Sequence, residues 1–357
     1  MPPFGSKPMP QHPQRLIVLF DGTWNDPQDN TNVVKLARSI APFDGERRQR
    51  FFYDAGVGTA ALSRLAGGVL GMGLSKNLRQ GYDWLARHYR PGDQVWVFGF
   101  SRGAYTARSM VGMIRKCGLL HVITPTSLAA AERLYRNKDA APDGEPCRQF
   151  RARYSREIDI HLLGVWDTVG ALGIPGTMIS ERGTYSWHDT RLSNIVQRAY
   201  QAMALDEHRA AYDAVPWTSA DGNKKTGQIE VEQRWFIGAH ANVGGGYPGD
   251  PLADLPLVWM QSKAIEAGLA LTPIMPDAQA WLTAPTDSFN DFMGGWYGRY
   301  RRWFHAGDGR LHRRLDQDGE GNLSVGVTID PSVWARWQSV PDYRPRTLTD
   351  ARLIPPE

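Results

Sequence analysis

Short apolar runs without polar alternation recur along the chain. Leu16-Ile17-Val18-Leu19-Phe20 stops at Asp21-Gly22-Thr23, and Val95-Trp96-Val97-Phe98 stops at Gly99. Phe51-Phe52-Tyr53 and Trp235-Phe236-Ile237 behave alike, and the stretch from Ile158 to Val165, interrupted by Asp159 and His161, also reads as a strand. A run of this kind, closed by turn residues, suits a strand buried on both faces of a parallel sheet. Between the runs the period changes to helical. Val33, Leu36, Ala37 and Ile40 predict a helix near 32–40, and Leu78, Tyr82, Leu85 and Tyr89 one that begins at Asn77 and ends at Pro91-Gly92-Asp93. Further helices are predicted at 127–137, 191–212 and 254–267, and Trp235-Phe236-Ile237 reads as the last strand. Alternating strands and helices predict an α/β fold of α/β-hydrolase type. Its central sheet is mostly parallel, with helices on both faces, insertions and a C-terminal extension.

The expected organisation is a Pro-rich flexible lead-in at 1–14, a catalytic domain at 15–290, and an Arg/Trp-rich extension at 291–357 packed on the core. Composition removes several classes. Hydrophobic residues make up 42% and charged residues 22%, a globular balance. A formal charge of +4 is too small for a nucleic-acid footprint, so no nucleic-acid partner is expected. The two cysteines, Cys117 and Cys147, give neither a disulfide framework nor zinc spacing, and no metal or cofactor is expected. The N-terminus lacks the apolar stretch of a signal peptide, and no apolar run reaches the ~18–20 residues of a membrane span. The expectation is a chain that is cytoplasmic as synthesised, with any export by a specialised secretion route.

Gly99-Phe100-Ser101-Arg102-Gly103 is a G-x-S-x-G between a buried strand and an amphipathic helix carrying Ala104, Ala107, Val111 and Ile114 to Gly118. Strand, sharp turn and helix are the context a nucleophile elbow requires. Ser101 then stands at a helix N-terminus, where N–H groups favour developing negative charge. The bland alternative is a serine that merely caps the helix.

A serine hydroxyl needs a histidine to take its proton, and that histidine needs a carboxylate to orient it. Asp167, just past the strand ending Gly164-Val165-Trp166, is the acid best placed at a strand's carboxyl end. Among the histidines that follow, His240 directly succeeds a strand and opens toward Gly244-Gly245-Gly246, a cluster expected to let backbone approach a ligand. His208 lies among charged residues of the predicted 191–212 helix, where an ion-pair role is expected. An oxyanion hole requires two backbone donors: the amide of Arg102 is one candidate, and Gly22 or Thr23 the other. The Asp-Gly-Thr turn is also similar to that of aspartyl-phosphate phosphatases, but their nucleophilic Asp is replaced here by Leu19.

Six dispersed blocks resemble the DUF2235 family, the α/β-hydrolases that include the Tle1-type phospholipase effectors of type VI secretion. They are Leu19 to Asn25, Gly56 to Thr59, Gly99 to Arg108, Val165 to Gly170, Ala204 to Glu207 with Arg209, and Gly238-Ala239-His240 through Tyr247. The resemblance implies a Ser101–Asp167–His240 triad, hydrolysis of lipid or phospholipid acyl esters, and a secretion-machinery or immunity-type partner. Two positions depart from the family pattern: Asn242 replaces an acidic residue, and Asp330 a histidine. Esters of carbohydrates or small molecules remain open as substrates. So does a catalytically silent binding module.

Two segments bear on access to the site. Residues 60–75 are glycine-rich and apolar, and with Trp24 and Gly58 they suggest a substrate-facing lid carrying Leu65, Val69, Leu70 and Met72. A plain buried connection is the alternative. Residues 296–316 interleave Arg299, Arg301, Arg302, Arg310, Arg313 and Arg314 with aromatics, a chemistry suited to transient contact with an anionic membrane surface. No clean amphipathic helix emerges there. The expectation is therefore a surface segment whose aromatics pack on the core while its arginines stay solvated.

Overall fold

The computed structural model describes residues 12–22, 30–56, 69–170, 192–304, 307–318 and 321–356. Its central sheet is built from β1 (Arg15–Phe20), β2 (Gln49–Asp54), β3 (Gln94–Phe100), β4 (Ile160–Trp166), β5 (Val196–Ala204), β6 (Glu230–Phe236) and β7 (Val327–Ile329). The spatial order is β7-β6-β5-β4-β3-β1-β2, and every pairing is parallel. The chain runs from β1 outward to β2, then returns to lay β3 on the other side of β1. The order reverses there, so the carboxyl ends of β1 and β3 flank the crevice in which open α/β sheets bind ligands.

Both faces are covered. Leu16, Val18 and Phe20 of β1 face α2 (Val69–His88) and α3 (Arg102–Cys117), which contribute Tyr82, Leu85, Ala107 and Met110 to one core. Ile17 and Leu19 face the opposite core with Val33 and Leu36 of α1 (Asn32–Ser39) and Leu257 and Met260 of α7 (Asp254–Glu266). Every residue of β1 is buried, which explains the run without alternation. Each such Leu, Ile or Val contributes roughly 1.5–3 kcal/mol of burial. Helices α4 (Pro125–Arg136) and α5 (Glu145–Tyr154) extend the α3 side, and the five-residue α6 (His240–Gly244) follows β6. No helix among the described residues is long and apolar enough to cross a membrane.

Several expectations need correction. Residues 196–204 form β5 and not part of a helix: the segment is hydrogen-bonded in parallel between β4 and β6 and buried on both faces. Its apolar Val196, Ala199 and Met203, spaced three and four apart, imitate a helical stripe. His208 consequently lies in the loop after β5, where its Nδ1 meets the Leu311 carbonyl at 3.0 Å and its charge acts on Asp206. Trp235-Phe236-Ile237 is not the end of the sheet, because the C-terminal region supplies the edge strand β7. α2 starts eight residues before Asn77, so Val69, Leu70 and Met72 belong to its first turns. The rest of the suggested lid, including Gly58 and Leu65, lies outside the described residues, as do Thr23 and Trp24. Finally, Trp296–Phe304 is a helix, α8, with Tyr297 buried and Trp296, Tyr300 and Trp303 exposed.

Candidate active site

Ser101 sits between β3 and α3 with φ 58° and ψ −122°, outside the regions that side-chain-bearing residues favour. The motif's glycines make that turn affordable in space. A Cβ on Gly99 would lie 2.6 Å from the Gly103 carbonyl oxygen, and one on Gly103 would collide with the backbone of Phe20 and Asp21. The Ser101 amide donates to the Trp166 carbonyl at 3.0 Å, tying the elbow to the end of β4.

The next residue after Trp166 is Asp167, itself at positive φ (37°) and fully buried. His240 opens α6 just past β6. These three side chains, from separate stretches of the chain, form one hydrogen-bonded line. His240 Nε2 lies 2.8 Å from Ser101 Oγ, and His240 Nδ1 lies 2.6 Å from Asp167 Oδ2. The imidazole is held by rings on two sides: Phe100 at 4.7 Å between centroids and Tyr212, edge-on, at 5.1 Å. Its backbone amide donates to Glu207 Oε2 at 3.2 Å.

The carboxylate is where the structure adds most to the sequence reading. Asp167 Oδ1 accepts from the Ala204 amide at 2.9 Å and from Arg313 Nη1 at 2.6 Å, while Arg313 Nη2 reaches Oδ2 at 3.0 Å. Burial by itself would raise the Asp167 carboxyl. The Arg313 charge, with the hydrogen bond and charge of His240, overrides burial and holds it well below the usual carboxylate range. Burial lowers the His240 imidazole, against the opposing pull of Asp167. Arg313 thus contradicts the expectation of solvated arginines: it is 4% exposed, because a fully buried carboxylate requires a buried counter-charge. Nothing in the spacing of the Arg-rich stretch distinguishes it from its neighbours.

A second buried pair adjoins the histidine. Arg209 donates to Glu207 through Nε (2.8 Å) and Nη2 (2.7 Å), and its guanidinium lies 3.7 Å from the centroid of the Tyr212 ring. Burial would raise Glu207, but the Arg209 hydrogen bonds and charge keep it lowered.

Other expected participants are placed differently. The Gly22 amide donates to Asp21 Oδ1 at 2.7 Å, so it is committed to its own neighbour rather than presented as an oxyanion donor. Asp21 in turn accepts from Thr31 Oγ1 (2.6 Å) and Tyr53 OH (2.8 Å), which fixes the end of β1. Arg102 is the first residue of α3, directly after Ser101. Two of the three glycines after His240 pack within the protein: Gly244 lies against the Phe100 ring, and Gly245, at φ 81°, against the backbone of Thr31 and Asn32, whereas a Cβ on Gly246 would meet open space. Asn242 hydrogen-bonds to groups outside the triad. Its Oδ1 accepts from the Ala239 and Thr286 amides while its Nδ2 donates to Asp250, a double role an ionised acid could not fill. Asp330 caps helix α9 (Pro331–Ser339) by accepting from the Ser332 amide at 3.0 Å. Among the described residues no group of three or more His, Cys, Asp or Glu side chains is gathered to hold a metal ion.

The profile of the type VI secretion family described as phospholipase effector Tle1-like, catalytic domain, matches residues 14–263. An uncharacterised protein of Saccharomyces cerevisiae is 28% identical over 233 residues, covering 57% of this chain and 33% of its own length. Among solved structures, an uncharacterised protein from Pseudomonas aeruginosa is 19% identical over 80% of this chain and 50% of that one, with a TM-score of 0.42. A Tle1 effector bound to the VgrG spike of the type VI system is 17% identical over 68% and 53%, TM-score 0.34. An esterase from Thermogutta terrifontis is 14% identical over 76% and 89%, TM-score 0.39. The chain spans a third of the yeast relative and about half of the Pseudomonas and Tle1 chains it resembles.

Proposed function

This chain belongs to the Tle1-like catalytic-domain family of type VI secretion phospholipase effectors, and from that premise we propose that it is a serine hydrolase of acyl esters, with phospholipids as its substrate class. The observation that carries the reading is the unbroken line from Ser101 Oγ through His240 to Asp167. Ser101 Oγ attacks the ester carbonyl carbon as its proton passes to His240 Nε2. Asp167 accepts the Nδ1 hydrogen, which fixes the tautomer and offsets the imidazolium charge. The tetrahedral oxyanion is met by the Arg102 amide at the start of α3. Collapse expels the alcohol, which takes the proton from His240 and leaves an acyl group on Ser101. Water then attacks that acyl group, giving up a proton to His240, and the proton returns to Ser101 Oγ as the fatty acid departs. Every step is balanced by substrate, water, these side chains and the Arg102 amide.

Membership in an effector family supports delivery by the type VI apparatus, a secretion-machinery partner, and an encounter with a membrane surface. The test is labelling by a fluorophosphonate probe alongside turnover of short esters, long-chain esters and phospholipid vesicles. Wild type is expected to label and to prefer phospholipid, and S101A to do neither. Undiminished turnover in S101A would remove the mechanism.

A further inference from the structure

We propose that Arg313 is a positioning residue of this hydrolase: its guanidinium grips both oxygens of Asp167 and restrains the Asp167–His240 pair from taking up a proton, so that His240 stays a neutral base. The inference rests on the triad reading above. It adds a residue from beyond 263, where the family match ends.

The geometry argues for a dedicated role. One guanidinium satisfies Asp167 Oδ1 and Oδ2, and also donates to the carbonyls of Ala204, where β5 ends, and Tyr212, whose ring packs on His240. A bidentate arginine fixes the plane of the carboxylate as well as its charge. The plane decides which oxygen faces His240 Nδ1, and hence the direction in which Nε2 points.

Among the described residues, Arg313 is the cation that ion-pairs with Asp167. The charged and titratable groups facing the pair include, among the described residues, Arg313 from the C-terminal region, Glu207 and Arg209 from the turn after β5, and Tyr212; Asp213 acts on Arg313 and Tyr247 on Arg209. Glu207 and Arg209 neutralise each other through two hydrogen bonds. Without Arg313 the buried Asp167 keeps, among the described residues, the Ala204 amide and His240 as its hydrogen-bond partners, and no cation bonded to both its oxygens. The pair then gains a proton more readily, whether on the imidazole or on the carboxyl.

The experiment measures kcat/KM for a p-nitrophenyl ester, and the rate of fluorophosphonate labelling, against pH for wild type, R313Q and R313K. Loss of the charge in R313Q is expected to move the acid limb upward by about one pH unit or more. R313K keeps the charge but not the fork, so its limb should stay with wild type while kcat falls. Variants that lose activity with an unmoved limb in both cases would overturn the proposal and leave Arg313 a merely structural residue. If R313Q does not fold, R313M, which removes the charge but keeps the apolar stem, takes its place, and NMR titration of His240 decides: a value raised above that of wild type is expected, and an unchanged value overturns the proposal. S101A separates the two readings, because continued labelling in that variant sinks the triad itself, whatever the limb does.

Discussion

Gly103 lies so close to the carbonyl oxygen of Phe20 that no methyl group fits between them. The start of α3 is thereby pressed onto the end of β1, at the point where the strand order reverses. The obstacle is backbone, which cannot swing aside as a flexible side chain would. Gly103→Ala is therefore expected to cost about 1–3 kcal/mol or more and to displace Ser101 from His240. Thermal unfolding and fluorophosphonate labelling should both register it. A variant with wild-type melting and labelling would show that the elbow is not held by this contact.

The elements around the nucleophile were legible because they are local. β1, β3 and α3 are written in contiguous runs, and the G-x-S-x-G lies where one turns into the next. β5 was not, because its burial comes from β4 and β6 on either side rather than from its own periodicity. Arg313 stood among six arginines with no local mark. What distinguishes it is a carboxylate 146 positions earlier in the chain, a relationship that only the folded sheet creates. Gly22 failed for a different reason: its neighbour Asp21 captures its amide, which strand-end position alone does not disclose.

Asp167→Asn separates charge from shape. The amide can occupy the same volume but leaves Arg313 without a counter-charge in a buried site and offers the wrong hydrogen-bonding group to one of its partners. The expected outcome is a fall in kcat on the order of a thousandfold or more, with a stability loss of about 3–5 kcal/mol. Urea denaturation beside ester turnover checks both. Retained activity would mean that Asp167 does not orient His240.

The histidine also links stability to pH. Burial holds the folded-state value of His240 below its ordinary value of about 6.5, against the pull of Asp167. As pH falls through that value, the unfolded chain takes the proton first, so the group withdraws stability until the folded-state value is reached. Between about pH 7.5 and 5.5, wild type should therefore lose more stability than His240→Gln. His161 and His312, lowered by the same burial, titrate in both proteins and drop out of the difference. Asp167 acts lower: its depressed value stabilises the fold above about pH 3.9 and is lost below it. Equal slopes in the upper window would contradict a buried neutral imidazole.

The Glu207–Arg209 pair makes the last test, because its two members are expected to fail together. Glu207 accepts from Arg209, from the His240 amide and from Ser288 Oγ at 3.0–3.1 Å, so removing its charge strands a guanidinium that is itself 6% exposed. Glu207→Gln or Arg209→Met alone should each cost about 3–5 kcal/mol. Glu207→Gln combined with Arg209→Met strands no charge, and should cost less than the sum of the singles. Activity should not recover with stability. The double variant still lacks the carboxylate that holds the His240 amide and the cation that lies over Tyr212, the ring against the imidazole. Full additivity in the stability cycle would mean that the two charges stand independently, and a double variant with wild-type turnover would mean that the pair plays no part in setting His240.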